Sequence, residues 1–559
     1  MEKILLVEPD YKNKFPPLGL MKIATYHRNK GDTVVFYKGE APYTQIISKD
    51  RVYITTLFTF HYDITLKCIS HYSKYFSRES IFIGGIAATL MASDFKRDTG
   101  INNIVKGQLV SSSALGYEDN VNIDSLPLDY DILDDISYEY PAGDNYFVHT
   151  TRGCPRGCEF CAVKTLEPEF KTTNEIIDQV RRVDQTYLQK RNLFVMDNNI
   201  LCSSKLTQII DDIRFLGFTG EANYVYPNPF EQMLGKIKRR KQFGVDYSKQ
   251  LYGTIDLLEG FANRLKRYPK VHAELIEVID SIRQSESLQG ALETNSSFLS
   301  ALVEKYRSKP KIIRYVDFNQ GIDARLINKR TMKILSTIPI RPFRLAYDSI
   351  DDTNVFTEAT RLAIENSVRH FSNYILYNWK DKPEDLWLRL SNAVSLYSGN
   401  GASIDGFSFL MKYAPVEEKN RSYIGKFWNK KYLGAVNIII NVTNGVVAKE
   451  RDFFFEAFGS NVDEFIEILK MPDEFIRHRF FFKRNGLLDF WKTLFHSLSE
   501  EEKKYLLNVL CEYKTNKLIM NDDHPERVKK ILVLYTINKS QFDRGSRSYQ
   551  SVVDEVESI

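Results

Sequence analysis

Over the first 125 positions, short apolar runs of strand length alternate with a stretch of helical spacing. The runs at 3–7, 33–37, 52–58 and 81–83 read as strands, and 18–28 repeats its apolar residues at helical intervals. Gly31 and Asp32 open the second run. Alternating strands and helices predict an α/β fold that begins with a Rossmann-like parallel sheet, with ligands at the strand carboxyl ends. Residues 126–144 are rich in Pro, Asp and Tyr, lack a period, and read as a linker.

The alternation resumes between 145 and 415. Strands are expected at 146–150, 193–196, 312–318, 343–347, 374–377 and 404–411, with a helix at 203–216 after Ser caps. This order suggests a central partial (β/α)6 barrel. Most of its strand ends are polar: Asp197, Asn198 and Asn199; Asn319, Gln320 and Asp323; Asp348; Asn378. The carboxyl rim is where substrates lie in parallel-strand barrels, although the same residue types also cap helices. A helical insertion at about 223–311 interrupts one step, running from aromatics and prolines into Lys236-Ile-Lys-Arg-Arg-Lys241 and then helical stretches over 255–288. It reads as a lid or a carrier of substrate contacts. Residues 416–559 alternate Phe-rich segments with charged helical patterns, which predicts a mostly helical C-terminal region, frayed from Ser540.

Composition narrows the function. The 559 residues suit about three to four domains, and 43% apolar content suffices for several cores. A net charge of +4 is too small to imply nucleic acid. The basic run at 236–241 therefore reads as a solvated helix face, with phosphate and base contacts as the alternative. The Phe-rich tail reads as packing, with a recognition or dimer surface as the alternative. The apolar start is halted by Glu8, Pro9 and Asp10, and no uncharged stretch reaches membrane-spanning length, so a cytoplasmic protein without a membrane partner is expected. Three of the six cysteines share one motif, which argues for a reducing compartment; Cys68, Cys202 and Cys511 read as ordinary buried thiols.

That motif is the run 151–162, Thr-Arg-Gly-Cys-Pro-Arg-Gly-Cys-Glu-Phe-Cys-Ala. Cys154, Cys158 and Cys161 supply three thiolates, the natural ligands of an iron-sulfur cluster, and three ligands leave one iron of a cubane open. Gly153 and Gly157 suit a loop wrapped closely by positive φ, and Arg152 and Arg156 place positive charge beside an anionic cluster. A structural zinc site wants four ligands, and a disulfide framework cannot use three cysteines evenly.

At this point the chain resembles the radical S-adenosylmethionine superfamily, whose hallmark is the CxxxCxxC spacing of Cys154, Cys158 and Cys161 and whose habit is an aromatic where Phe160 stands. The resemblance implies a 4Fe-4S cluster whose open iron chelates S-adenosylmethionine. Reductive cleavage would then give a 5'-deoxyadenosyl radical that removes hydrogen from a small-molecule, peptide or nucleotide substrate. The resemblance also implies an electron donor such as flavodoxin or ferredoxin. It places Asp197, Asn198 and Asn199 at the methionine amino group, Phe160 beside them, and Gln320 and Asp323 toward the ribose or substrate. The run 374–385 looks like the same branch, where it supports the barrel and the adenosine pocket.

The segment 16–26 and the Gly84-Gly85 turn look like the cobalamin-binding-type domain found before many such cores. The Asp-x-His-x-x-Gly motif of those domains is absent, and neither His27 nor His61 replaces it. A fold retained without the cofactor is the reading, with a cobalamin-dependent methyltransferase as one alternative and a non-catalytic Fe-S binding or sensing protein as the other.

Overall fold

The structure is a computed structural model that describes residues 1–173, 175–398, 404–448, 450–512 and 523–559. The chain forms two compact units. The first holds Met1–Gln320, Lys333–Arg341 and Pro415–Arg421, and the second holds Gly321–Met332, Pro342–Ala414 and Ser422–Ile559.

In the first unit, β1 (Lys3–Glu8), β2 (Thr33–Lys38), β3 (Arg51–Thr56), β4 (Ile81–Gly85) and β5 (Ile104–Val105) form a parallel sheet in the order 2-1-3-4-5. Ile4, Leu5, Leu6 and Val7 are fully buried, as a central strand covered on both faces requires. Strand order reverses beside β1, which places the ligand crevice at the carboxyl ends of β1 and β3. Gly85 has φ +108°, and a Cβ there would stand 2.3 Å from the Thr56 carbonyl, so only glycine lets β3 and β4 end this closely.

Seven short strands follow: β6 (Tyr146–Val148), β7 (Thr151–Arg152), β8 (Lys171–Thr172), β9 (Leu193–Val195), β10 (Ala222–Tyr224), β11 (Ile312–Ile313) and β12 (Val316–Phe318). β6, β9 and β12 make a parallel sheet with β9 in the middle. β10 and β11 pair antiparallel and close the neck of the insertion, whose five helices run from Pro229 to Tyr306 around a core of their own that includes Phe230, Leu258, Leu275 and Leu299.

The basic run of the insertion is a solvated face only at Lys238 and Lys241, and its other three cations are engaged. Arg239 grips Asp131 with two hydrogen bonds of 2.6 and 2.9 Å, Arg240 pairs with Asp135 at 2.7 Å, and Lys236 pairs with Asp134 at 2.9 Å. These acids lie on the Tyr130–Asp135 3-10 turn of the expected linker, which is a strap packed into the first unit. Arg28 pairs with Asp129 at 2.7 Å in the same strap, where burial pushes the Asp129 carboxyl up to about 6 against the pull of Arg28.

In the second unit, β13 (Phe343–Ala346), β14 (His370–Tyr377) and β15 (Asp405–Lys412) are parallel, and β16 (Val447–Ala448) pairs antiparallel with β15. Among the described residues the expected six-stranded barrel is not seen as one sheet. Its strands divide between β6-β9-β12 in one unit and β13-β14-β15 in the other. Between Phe318 and Phe343 the pairing falls to single bridges, Val316 with Ile340 in the first unit and Ile322 with Leu345 in the second, too few for a ladder.

The helical tail belongs to the second unit. Phe454, Phe458, Phe475, Phe482 and Trp491 are buried, which is the packing role, while Phe453 and Phe480 face solvent. The C-terminal stretch is helical rather than frayed. Ser548 caps Tyr549–Glu557 through a capping box, and Val552 and Val556 are buried.

Candidate functional site

The cysteine loop is pinned at both ends. β7 and β8 pair antiparallel at its neck, so residues 153–170 leave and return at one place. Cys154, Cys158 and Cys161 are half-buried and none is in a disulfide. Gly153 has φ +71°, and a Cβ there would lie 2.3 Å from the Glu169 carbonyl, whereas Gly157 has no positive φ and is needed for no such reason.

Asp197, at the end of β9, ties this loop to the sheet. Its carboxylate accepts hydrogen bonds from the Thr150 and Thr151 amides at 2.7 and 2.9 Å, from the Thr151 hydroxyl at 2.8 Å, and from the Thr150 hydroxyl. The residue expected to line a ligand is thus buried and engaged with the strand that launches the motif. Its neighbours turn to the loop itself. Asn199 donates from Nδ2 to the Cys154 sulfur at 3.7 Å, and Asn198 donates to Glu167 at 2.8 Å. Phe160 is half-buried within the loop.

The charge beside the motif is balanced, contrary to the sequence expectation for Arg152. Its guanidinium bonds both Asp124 oxygens at 2.7 Å and Glu167 at 2.9 Å, and Lys22 reaches Asp124 at 2.8 Å. Burial acts to raise the Asp124 carboxyl, but Lys22 and Arg152 hold it down at about 2. Glu167 also accepts the Gly153 amide at 2.7 Å, so one acid braces both flanks of the loop. His149, just beyond β6, is kept neutral by burial and by the nearby Arg152 and Lys22. Asp124, His149 and Glu167 were not singled out from sequence, because their partners lie far along the chain or carry no motif.

Gln320 is exposed at the end of β12 and lines the same cavity as Asn198. Asp323 belongs to the second unit, where it caps the Ala324–Leu326 turn and pairs with Arg325 at 2.7 Å. Asn378, another polar strand end of that unit, also has a structural task, and a buried ion pair lies near it. Asn378 holds the Tyr413 and Tyr423 carbonyls at 3.0 Å, and buried Arg389 joins Asp381 at 3.0 Å to the carbonyls of Tyr347 and Leu376.

The donor set was tested against each group the sequence implies. Tetrahedral zinc with 2.3 Å bonds needs sulfurs about 3.8 Å apart. Among the described residues, the one trio of such ligand atoms all within 4.8 Å is Glu2, His27 and Asp32, so at least one pair of the three thiol sulfurs lies more than 4.8 Å apart. The Glu2, His27 and Asp32 trio is itself a hydrogen-bonded network. His27 joins Asp32 at 2.8 Å and Tyr53 at 3.0 Å, and the Glu2 amide donates to Asp32 at 2.7 Å.

Cobalamin held through histidine does not fit. The lining of the cavity at the Rossmann-like strand ends includes Lys22, Thr55, Thr89 and Gln108, and its single His is His149 beyond β6. His27 is engaged as above, and His61 stacks on Tyr11. Of the remaining cysteines, Cys68 is buried, with a thiol pushed up to about 12, while Cys202 and Cys511 are half-buried rather than buried.

No helix among the described residues is long and apolar enough to cross a membrane. No protein-family model matches this chain, and no curated protein matches it.

Proposed function

We propose that this chain is a radical S-adenosylmethionine enzyme in which Cys154, Cys158 and Cys161 hold a 4Fe-4S cluster. The observation that carries the reading is the loop itself: three half-buried cysteines, none in a disulfide, on one segment closed at its neck and braced by Asp197, Glu167 and Asn199. Bound there, such a cluster would supply the reductive cleavage of S-adenosylmethionine to a 5'-deoxyadenosyl radical. The residues of this chain position and shelter it. Asn199 hydrogen-bonds the Cys154 sulfur, which tunes a thiolate ligand, and Asp197 fixes the strand end from which the loop departs. An external one-electron donor of the flavodoxin or ferredoxin kind is part of the proposal.

Iron and acid-labile sulfide in anaerobically reconstituted protein test the ligand set. About four of each per chain are expected, falling several-fold in Cys158→Ala with the fold retained. Undiminished content in that variant would contradict the assignment.

A further inference from the structure

A cavity of the first unit lies where the Rossmann-like strands end and where the cysteine loop begins. Its volume is about 470 Å3, within the range of roughly 300–1,000 Å3 typical of small-molecule sites. Ile54, Phe82, Ile86, Leu109, Ile123 and Leu166 are among its walls, and Arg152 and Val163, on either side of the three cysteines, line it too. The helix Leu18–Asn29 presents Leu18, Gly19 and Leu20 to it, and a Cβ on Gly19 would meet nothing within 4 Å. Asn198 and Gln320, from the ends of β9 and β12, share the lining.

The charges that reach this space cancel. Lys22 and Arg152 are matched by Asp124 and Glu167, each within hydrogen-bond distance of its partner. A ligand bearing a net charge would meet apolar walls and no free counterion, which disfavours its entry. Uncharged polar side chains are nonetheless on its wall: Thr55, Thr89, Gln108 and Gln320 line it. His149 lines it too, but its unpartnered Nδ1 is itself buried. A hydroxyl or side-chain amide bonds a ligand hydroxyl or carbonyl.

The geometry points to this cavity as the substrate chamber, one that takes an uncharged, largely apolar molecule carrying a hydroxyl or carbonyl group for the polar side chains of its wall. The inference rests on the radical-enzyme reading and names the substrate class for that site.

The test is equilibrium binding of Nile red, an uncharged apolar probe with a carbonyl group, to the full-length protein, with 8-anilinonaphthalene-1-sulfonate as the anionic comparison. Saturable one-to-one binding of Nile red is expected, at least tenfold tighter than the sulfonate. Leu109→Glu should weaken it at least tenfold with an unchanged circular dichroism spectrum, and Ile86→Trp should do so by filling the space without adding charge. Equal affinity for the anion, binding indifferent to both variants, or stoichiometric displacement by hydroxocobalamin would overturn the inference. Because the readout needs no cluster, the two claims separate. Failure of probe binding alongside deoxyadenosine formation removes only the substrate assignment, and specific probe binding without deoxyadenosine removes only the enzyme reading.

Discussion

At the scale of single residues, carboxylates rather than cysteines determine the shape of the site. Asp197 bonds Thr150 and Thr151, Glu167 bonds Gly153 and Asn198, and Asp124 gathers Lys22 and Arg152. Asp124 lends itself to a sign-checked prediction. Its folded-state value of about 2 lies below the value near 4 of an unfolded Asp, so its contribution is present above pH 4 and is lost as pH falls toward 2. Asp124→Asn should therefore cost about 1–2 kcal/mol in urea unfolding at pH 7, with the gap to the unaltered protein closing as the pH approaches 3. An equal gap at both pH values would mean that packing, not charge, is what Asp124 provides. The three cysteines were legible at this scale because their spacing is local. Asp124 and Glu167 were not, since Arg152 reaches 28 residues back to one and 15 forward to the other.

At the scale of elements, the apolar runs at 3–7, 33–37 and 81–83 became strands with their bounds extended by one or two residues, because a buried parallel strand leaves a continuous apolar signature. The strap at 126–144 shows the opposite case. Its Asp-rich composition has the look of a solvated linker, yet its acids are buried against cations roughly a hundred residues away, a pairing that no local pattern discloses. The last helix was missed for a related reason: Val552 and Val556 gain their meaning only from the surface they cover. If the strap is held by the insertion helix Pro229–Gln242, removal of Arg240 leaves Asp135 buried and unpaired. Arg240→Ala should cost about 3–5 kcal/mol in chemical denaturation, whereas Lys238→Ala on the exposed face should change stability by less than about 0.5 kcal/mol. Similar small effects of both changes would return the basic run to the role of a solvated face.

At the scale of the whole molecule, the sequence conveyed an α/β protein with a parallel sheet and a helical tail, but not how the central strands divide. Six short strands in the expected order do not fix their partners, because hydrogen-bond pairing across residues 318–343 depends on long-range packing. What unites the first unit functionally is the shared wall between the cysteine loop and the Rossmann-like strand ends, where Arg152, Glu167 and Asn198 meet Ile54, Thr55 and Gly84 around one cavity. A site arranged in this way predicts chemistry begun at the loop and directed into a largely apolar space. Anaerobic incubation of the reconstituted protein with S-adenosylmethionine and dithionite, followed by chromatographic quantification of 5'-deoxyadenosine, tests the central claim most directly. The account predicts deoxyadenosine and methionine in equal amounts, lost in Cys158→Ala; a cluster-loaded protein that leaves S-adenosylmethionine intact would contradict it.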